Sequence, residues 1–161
     1  MTKENAQRKA EAEIKIITDN RKARHNYFLE DRYEAGMVLT GTEVKALRDG
    51  KANLSDAYAM FTRGELFLLN AHIAMYGFGN RANHETLRTR KLLLNKHELV
   101  KLQQKMDNKG YSLVPVKMYF KDGRAKLEIA LAKGKKQHDK RDDIKKRESK
   151  REMDRLTKTI R

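Results

Sequence analysis

Residues 116–131 read VKMYFKDGRAKLEIAL, and their pattern decides the fold class. Asp122-Gly123 supplies the two positive-φ positions that a tight two-residue hairpin turn demands. After the turn, Leu127, Ile129 and Leu131 alternate with Lys126, Glu128 and Ala130, which makes one face apolar and points Lys126 away from the core. Pro115, just before, cannot donate to a strand ladder and marks an edge or a bulge. Working outward, HNYFLEDRYEAGMVL (25–39) mixes aromatic and β-branched residues with charges. DAYAMFTRGELFLLNAHIAMY (56–76) is two apolar runs about an Arg63-Gly64 turn. Both read as strands.

Two helices interrupt them. TGTEVKALRDG (40–50) has Thr40 and Glu43 at capping-box spacing, Val44 and Leu47 three apart, and Gly50 as its stop. NKHELVKLQQKMDNKG (95–110) repeats the scheme with Asn95 and Glu98, the apolar positions Leu99, Leu102 and Met106, and Gly110. Several strands, a helix and a strong closing hairpin predict a mainly β fold, an antiparallel barrel of the OB type with a few short helices.

At 161 residues the chain holds one domain with extensions. It has no cysteine, which excludes disulfides, thiolate metal sites and thiol nucleophiles and suits a reducing cytoplasm. No apolar run approaches the roughly 18 residues needed to span a bilayer, and MTKENAQRKAEAEIKIITDN (1–20) lacks the apolar block of a signal peptide. A soluble, cytoplasmic monomer with no membrane partner is the expectation. The net charge of +15 points to a polyanion, and nucleic acid comes first because the sequence has no Trp for an interfacial helix.

Residues 133–161 carry a net +7 but only four large apolar residues: Ile144, Met153, Leu156 and Ile160. Burying one such side chain contributes roughly 1.5–3 kcal/mol, whereas ordering each backbone residue costs roughly 1–2 kcal/mol. A tail that cannot fold alone follows. Asp142/Lys146, Asp143/Arg147 and Asp154/Lys158 are acid–base pairs at i, i+4, so the tail is biased toward helix on a partner. The predicted organisation is a flexible arm over 1–18, a barrel over 19–132 and a basic tail over 133–161, disordered when free. A short helix is possible around AEAEIKII (10–17) within the arm.

The chemistry of an enzyme is not signalled. His25, His72, His84, His97 and His138 show no HExxH or i, i+4 spacing, and no phosphate-binding glycine motif occurs. No cofactor or metal is expected. Basic loops are more informative: Arg21, Lys22, Arg24 and His25 precede Tyr27 and Phe28, of which Phe28 reads as core. Arg81, His84, Arg88, Arg90, Lys91 and Lys96 lie between a strand and a helix. Loops of this kind suit RNA, with cations on phosphates and rings on unstacked bases. Of Leu92, Leu93 and Leu94, one should face outward. Two other readings stay open: an RNA-processing nuclease using Glu34 or Glu43 with a nearby lysine or histidine, and a structural protein that binds rRNA only.

The stretches at 20–58 (NRKARHNYFLEDRYEAGMVLTGTEVKALRDGKANLSDAY), 87–99 (LRTRKLLLNKHEL) and 130–148 (ALAKGKKQHDKRDDIKKRE) together resemble the small protein B (SmpB) family, bacterial partners of transfer-messenger RNA. The resemblance runs from Asn20 to about Glu152. It implies a six- or seven-stranded OB-type barrel that clamps the tRNA-like domain of that RNA and carries it to a stalled ribosome, a step of trans-translation. It further implies RNA-binding roles for Asn20, Glu34, Leu93 and Lys126. Within the tail it implies that Gly134, Lys135, Lys136, His138, Asp139, Lys140 and Arg141 serve the decoding centre and the empty mRNA channel. Ala74 stands where many relatives have proline, and Asn26 where an acid is common.

Overall fold

The computed structural model of the chain describes residues 13–108 and 110–159. Nine strands and four helices follow one another: β1 (Ile14–Asp19), α1 (Arg21–Asn26), β2 (Tyr27–Met37), α2 (Gly41–Arg48), β3 (Ala52–Asn53), β4 (Tyr58–Thr62), β5 (Glu65–Leu69), β6 (His72–Ile73), β7 (Arg90–Leu93), α3 (Lys96–Met106), β8 (Tyr111–Lys121), β9 (Arg124–Gly134) and α4 (Gln137–Thr159). The hairpin of β8 and β9 turns at Asp122 (φ 50°) and Gly123 (φ 76°), and that of β4 and β5 at Arg63 (φ 51°) and Gly64 (φ 76°). Both turns stand where the sequence places them.

Strands pair in the order β1-β8-β4-β5-β7-β2-β9, and β8 also pairs with β9. Six strands from β8 round to β9 therefore close into an antiparallel barrel, with β1 as a seventh on β8. Closure removes free sheet edges around the ring. β8 meets three neighbours because its ladder breaks between Pro115 and Lys117: Leu113 faces Ala59 of β4, while Lys117 to Lys121 face β1. The bulge predicted from Pro115 is thus the point where β8 changes partner.

The core is formed by Leu47, Leu54, Leu66, Leu68, Ile73, Leu92, Leu102, Leu113, Met118, Leu127, Ile129 and Leu131, each 2% exposed or less. α2 and α3 begin at their predicted caps: the Glu43 carboxylate accepts the Thr40 N–H at 2.8 Å and that of Glu98 accepts the Asn95 N–H at 3.1 Å. Val44, Leu99 and Met106 pack on the core as expected.

Five expectations need correction. Residues 14–18, assigned to the arm, belong with Asp19 to β1 and not to a helix, with Ile14 and Ile16 facing outward, 55% and 60% exposed; residues 1–12 lie outside the described residues. The α1 segment, read as a basic loop, is a short helix capped by Asn20. Ala130, placed on the solvent face, is fully buried, as is Ala132, which packs with Ala23 and Val114 where α1 covers the outside of the barrel. Phe28, read as core, is 45% exposed: it pairs with exposed Lys133 near the end of β9, and its neighbours Tyr27 and Leu29 are the ones that pack on that outer cluster. The tail is one helix, α4, with no buried residue. Its predicted Asp143/Arg147 pairing gives way to a contact from Asp143 back to Lys135.

Candidate RNA interface

β2 brings the predicted barrel residues together. Gly36 faces Leu93 of β7 on one side and Lys126 of β9 on the other. Two residues earlier on the same face is Glu34, because successive side chains of a strand alternate and Ala35 between them is buried. A Cβ on Gly36 would lie 3.4 Å from the Leu93 Cβ, in ordinary van der Waals contact, so the two positions are immediate neighbours. Leu93 is 49% exposed between buried Leu92 and half-buried Leu94, and supplies the outward apolar contact expected of the leucine run. Lys126, Arg124, Lys121 and Glu34 border one concavity.

Glu34 is held within the protein by partners the sequence reading did not name. Its carboxylate accepts the Tyr119 hydroxyl at 2.5 Å and Lys121 Nζ at 3.3 Å. That bond from Tyr119, with Lys121 and Lys126 close by, lowers the carboxyl below its ordinary range. Burial and Glu34 in turn push the Tyr119 phenol well up. Glu34 is thus an anion at neutral pH, half-exposed and fixed in direction, able to accept from a base edge or a 2′-OH. Counting back from Asp122-Gly123 places Tyr119 opposite Lys126, but its reach across β9 to Glu34 depends on the pairing of β2 with β9.

A second basic group surrounds α1 and the root of α4. Arg21 and Arg24 are exposed, His25 half-buried, and Lys22 exposed. Lys22 pairs with Asp56 at 2.8 Å and Arg24 with Asp19 at 2.9 Å, while Lys91, further round the barrel, pairs with Glu65 at 2.6 Å. Exposed pairs of this sort contribute about 0–1 kcal/mol and exchange readily for phosphate. Gly134 ends β9 opposite Tyr27, and the Lys135 N–H donates to the Asn26 carbonyl at 2.9 Å. Lys135 Nζ donates to the Arg24 carbonyl at 3.1 Å, meets Asp143, and lies 5.1 Å from the centre of the Phe28 ring. Its side chain is only 7% exposed, so α1 and the tail share one junction. Lys136, His138 and Arg141 are exposed, and Asp139 and Lys140 partly so, with the Asp139 carboxylate accepting the Lys136 N–H at 3.2 Å.

Two predicted contact residues have no free polar surface. Asn20 is 3% exposed. Its Nδ2 donates to the Leu54 carbonyl at 3.0 Å and the Pro115 carbonyl at 2.8 Å, and its Oδ1 accepts the Ala23 N–H at 3.1 Å. Arg90 is fully buried: Nε donates to Glu43 at 2.8 Å and Nη1 to the Ala71 carbonyl at 2.7 Å. Each positions backbone and presents no polar edge to a ligand.

Glu43, also fully buried, accepts from Arg88 Nη2 at 2.8 Å besides Arg90 and Thr40. Burial alone would raise its carboxyl, but Arg88, the Thr40 N–H and Arg90 bring it down to about 2. The acid proposed for a nuclease is consequently a structural anion closed to solvent.

The family model described as SmpB protein matches residues 17–159. The SsrA-binding protein of Geobacter sulfurreducens is 59% identical over 139 residues, 86% of this chain and 91% of its own. That of Desulforudis audaxviator is 58% identical over 144 residues, 89% and 94% of the two chains. The chain belongs to the SmpB family. A solved structure described as "tmRNA-SmpB: a journey to the center of the bacterial ribosome" is 50% identical, with a TM-score of 0.64 over 74% of this chain and 85% of its own. The SmpB match spans the barrel from within β1 and the whole of α4, so the surface around Gly36 and the tail junction lie within it.

Proposed function

We propose that this SmpB-family chain is a non-enzymatic adaptor: its barrel binds the tRNA-like domain of transfer-messenger RNA, and the complex enters stalled ribosomes for trans-translation in the cytoplasm. The convergence of Glu34, Leu93 and Lys126 about Gly36 carries the reading. It combines a fixed acceptor, an apolar contact and a cation on one face, a combination that suits a folded RNA elbow. The relatives' name, SsrA-binding protein, and the tmRNA-SmpB structure support the same partner. The nuclease reading loses its base, because Glu43 is enclosed and Glu34 is held by Tyr119 and Lys121. Among the described residues no helix is long and apolar enough to cross a membrane.

In this reading α1 with Arg21, Lys22, Arg24 and His25 continues the RNA surface toward the tail, with Lys91 adding a cation beside Leu93. Gly134, Lys135, Lys136, His138, Asp139, Lys140 and Arg141 form the hinge and first turn that enter the decoding centre. The 23 residues of α4 reach about 35 Å into the empty mRNA channel. Lack of burial along α4 supports a tail that is disordered in free solution and ordered on the ribosome.

The test is affinity for isolated tRNA-like RNA. Glu34→Ala and Lys126→Ala should each weaken binding about ten- to a hundredfold, the value of one charge-assisted bond, with far-UV circular dichroism unchanged. Wild-type affinity in both variants would remove this face from the interface. Equal affinity for rRNA fragments and tRNA-like RNA would favour the purely ribosomal reading.

A further inference from the structure

β6 and β7 are joined by residues 74–89, a loop with no regular structure beyond one short 3-10 turn at Asn80–Ala82. Connections longer than about 12–15 residues are uncommon in compact domains and usually serve a function. This one is built rigidly. His84, 6% exposed, directs Nε2 to the Ile73 carbonyl at 3.0 Å, so that nitrogen carries the proton and Nδ1 accepts the Thr42 hydroxyl at 2.9 Å. Arg88 and Arg90 tie the far end to Glu43. At the tip the Asn83 amide grips Tyr76 twice: its Oδ1 accepts the Tyr76 N–H at 3.0 Å and its Nδ2 donates to the Tyr76 carbonyl at 2.7 Å. Any Cβ on Gly79 would fall 2.8 Å from Asn83 Nδ2, so glycine is required for that grip.

The clamped tip raises an aromatic ring into solvent. Phe78 is 85% exposed, the largest exposure of any large hydrophobic residue among the described residues, although burying it would have been favourable. Tyr76 meets it edge to face, with centroids 5.7 Å apart, and Lys45 Nζ lies 5.4 Å from the centre of the Tyr76 ring. Exposed Arg81 follows on the 3-10 turn. An uncovered ring on a clamped loop, next to a Tyr76 ring that carries Lys45 and three residues before Arg81, matches what single-stranded nucleic acid needs: a stacking face for a base and charge for its phosphate.

We infer that Tyr76 and Phe78 form a stacking platform for an unstacked RNA base, with Lys45 and Arg81 on the adjoining phosphates. This is a second RNA contact, separate in the chain from Glu34, Leu93 and Lys126, and it does not depend on the identity of the RNA carried by the barrel. An apolar protein partner is the competing occupant, but the flanking cations favour the polyanion.

The absence of tryptophan from the chain makes the test direct. In the full-length protein, Phe78→Trp introduces a single reporter. Titration with a ten-nucleotide oligoadenylate should quench its emission saturably, and an RNA duplex of equal charge should not. Phe78→Ala and Phe78→Leu should both lower oligoadenylate affinity about 5- to 100-fold, the value of one base–aromatic stack. Lys126→Ala in the Phe78→Trp background should leave quenching intact, which separates this site from the barrel face. No quenching, equal quenching by duplex, or full affinity in Phe78→Leu would each overturn the platform. Retained oligoadenylate affinity in Phe78→Ala would do the same and would leave an apolar protein as the occupant.

Discussion

Replacing Asn20 by alanine removes the side-chain donor from the Pro115 and Leu54 carbonyls, the latter keeping the Ala57 N–H at 3.0 Å, and leaves α1 without its cap. A stability loss of roughly 2–4 kcal/mol is expected from one lost cap and the lost bonds to two carbonyls, read as a lower urea midpoint. RNA affinity of the folded fraction should change far less than in Lys126→Ala, because Asn20 acts through the junction it holds. Glu43 makes a pH prediction. Its carboxyl is near 4.5 when unfolded and about 2 when folded, so the unfolded chain binds the proton more readily. The stability it contributes is complete above pH 4.5 and disappears as pH falls toward 2, on the order of 3 kcal/mol. Thermal unfolding between pH 6 and pH 2.5 should show a steep acid limb that flattens in Glu43→Gln. The type of residue at 43 was legible as a capping acid; that it also anchors Arg88 and Arg90 was not, because those partners arrive from 45 and 47 residues away.

Among elements, α4 depends on its root. Its position relative to the barrel is set by Lys135, which joins Asp143, the Arg24 carbonyl and the Phe28 ring. The pair with Asp143 and the cation–π contact are together worth on the order of 1–2 kcal/mol. Lys135→Ala should therefore remove this docked orientation from those the free tail samples, without unfolding the barrel. Spin labels at Thr62 and Ser149 would lose the component at the docked distance that the parent protein shows within its broad distribution. An unchanged distribution would place the anchor elsewhere. β1 shows the opposite relation of sequence to element. Its apolar Ile14 and Ile16 face outward and only Ile17 packs on the core, so its alternation points to the wrong face. Pairing with β8, more than a hundred residues away in places, makes it a strand.

At the scale of the molecule, a closed barrel carries a charged appendage that adds nothing to its core. Ending the chain after Gly134 keeps β9 whole and should leave affinity for tRNA-like RNA within a few fold while abolishing peptide tagging on stalled ribosomes. Loss of RNA binding on that truncation would sink the division of labour. If 6–10 phosphates are neutralised, affinity should drop about 10³- to 10⁵-fold between 50 and 200 mM salt. The two hairpin turns, the capped helices α2 and α3, the leucine run and the unburied tail could all be read from the chain, because turn chemistry, capping and burial pattern are local properties. The charge named a polyanion, and motif resemblance named the family. Only the tertiary structure decided that Arg90 and Asn20 are interior, that Tyr119 and Lys121 fix Glu34, and that Phe78 is left uncovered. Those outcomes depend on which distant strands pair, and a charged or aromatic side chain carries no local mark of whether its partner will be water, a ligand or another strand.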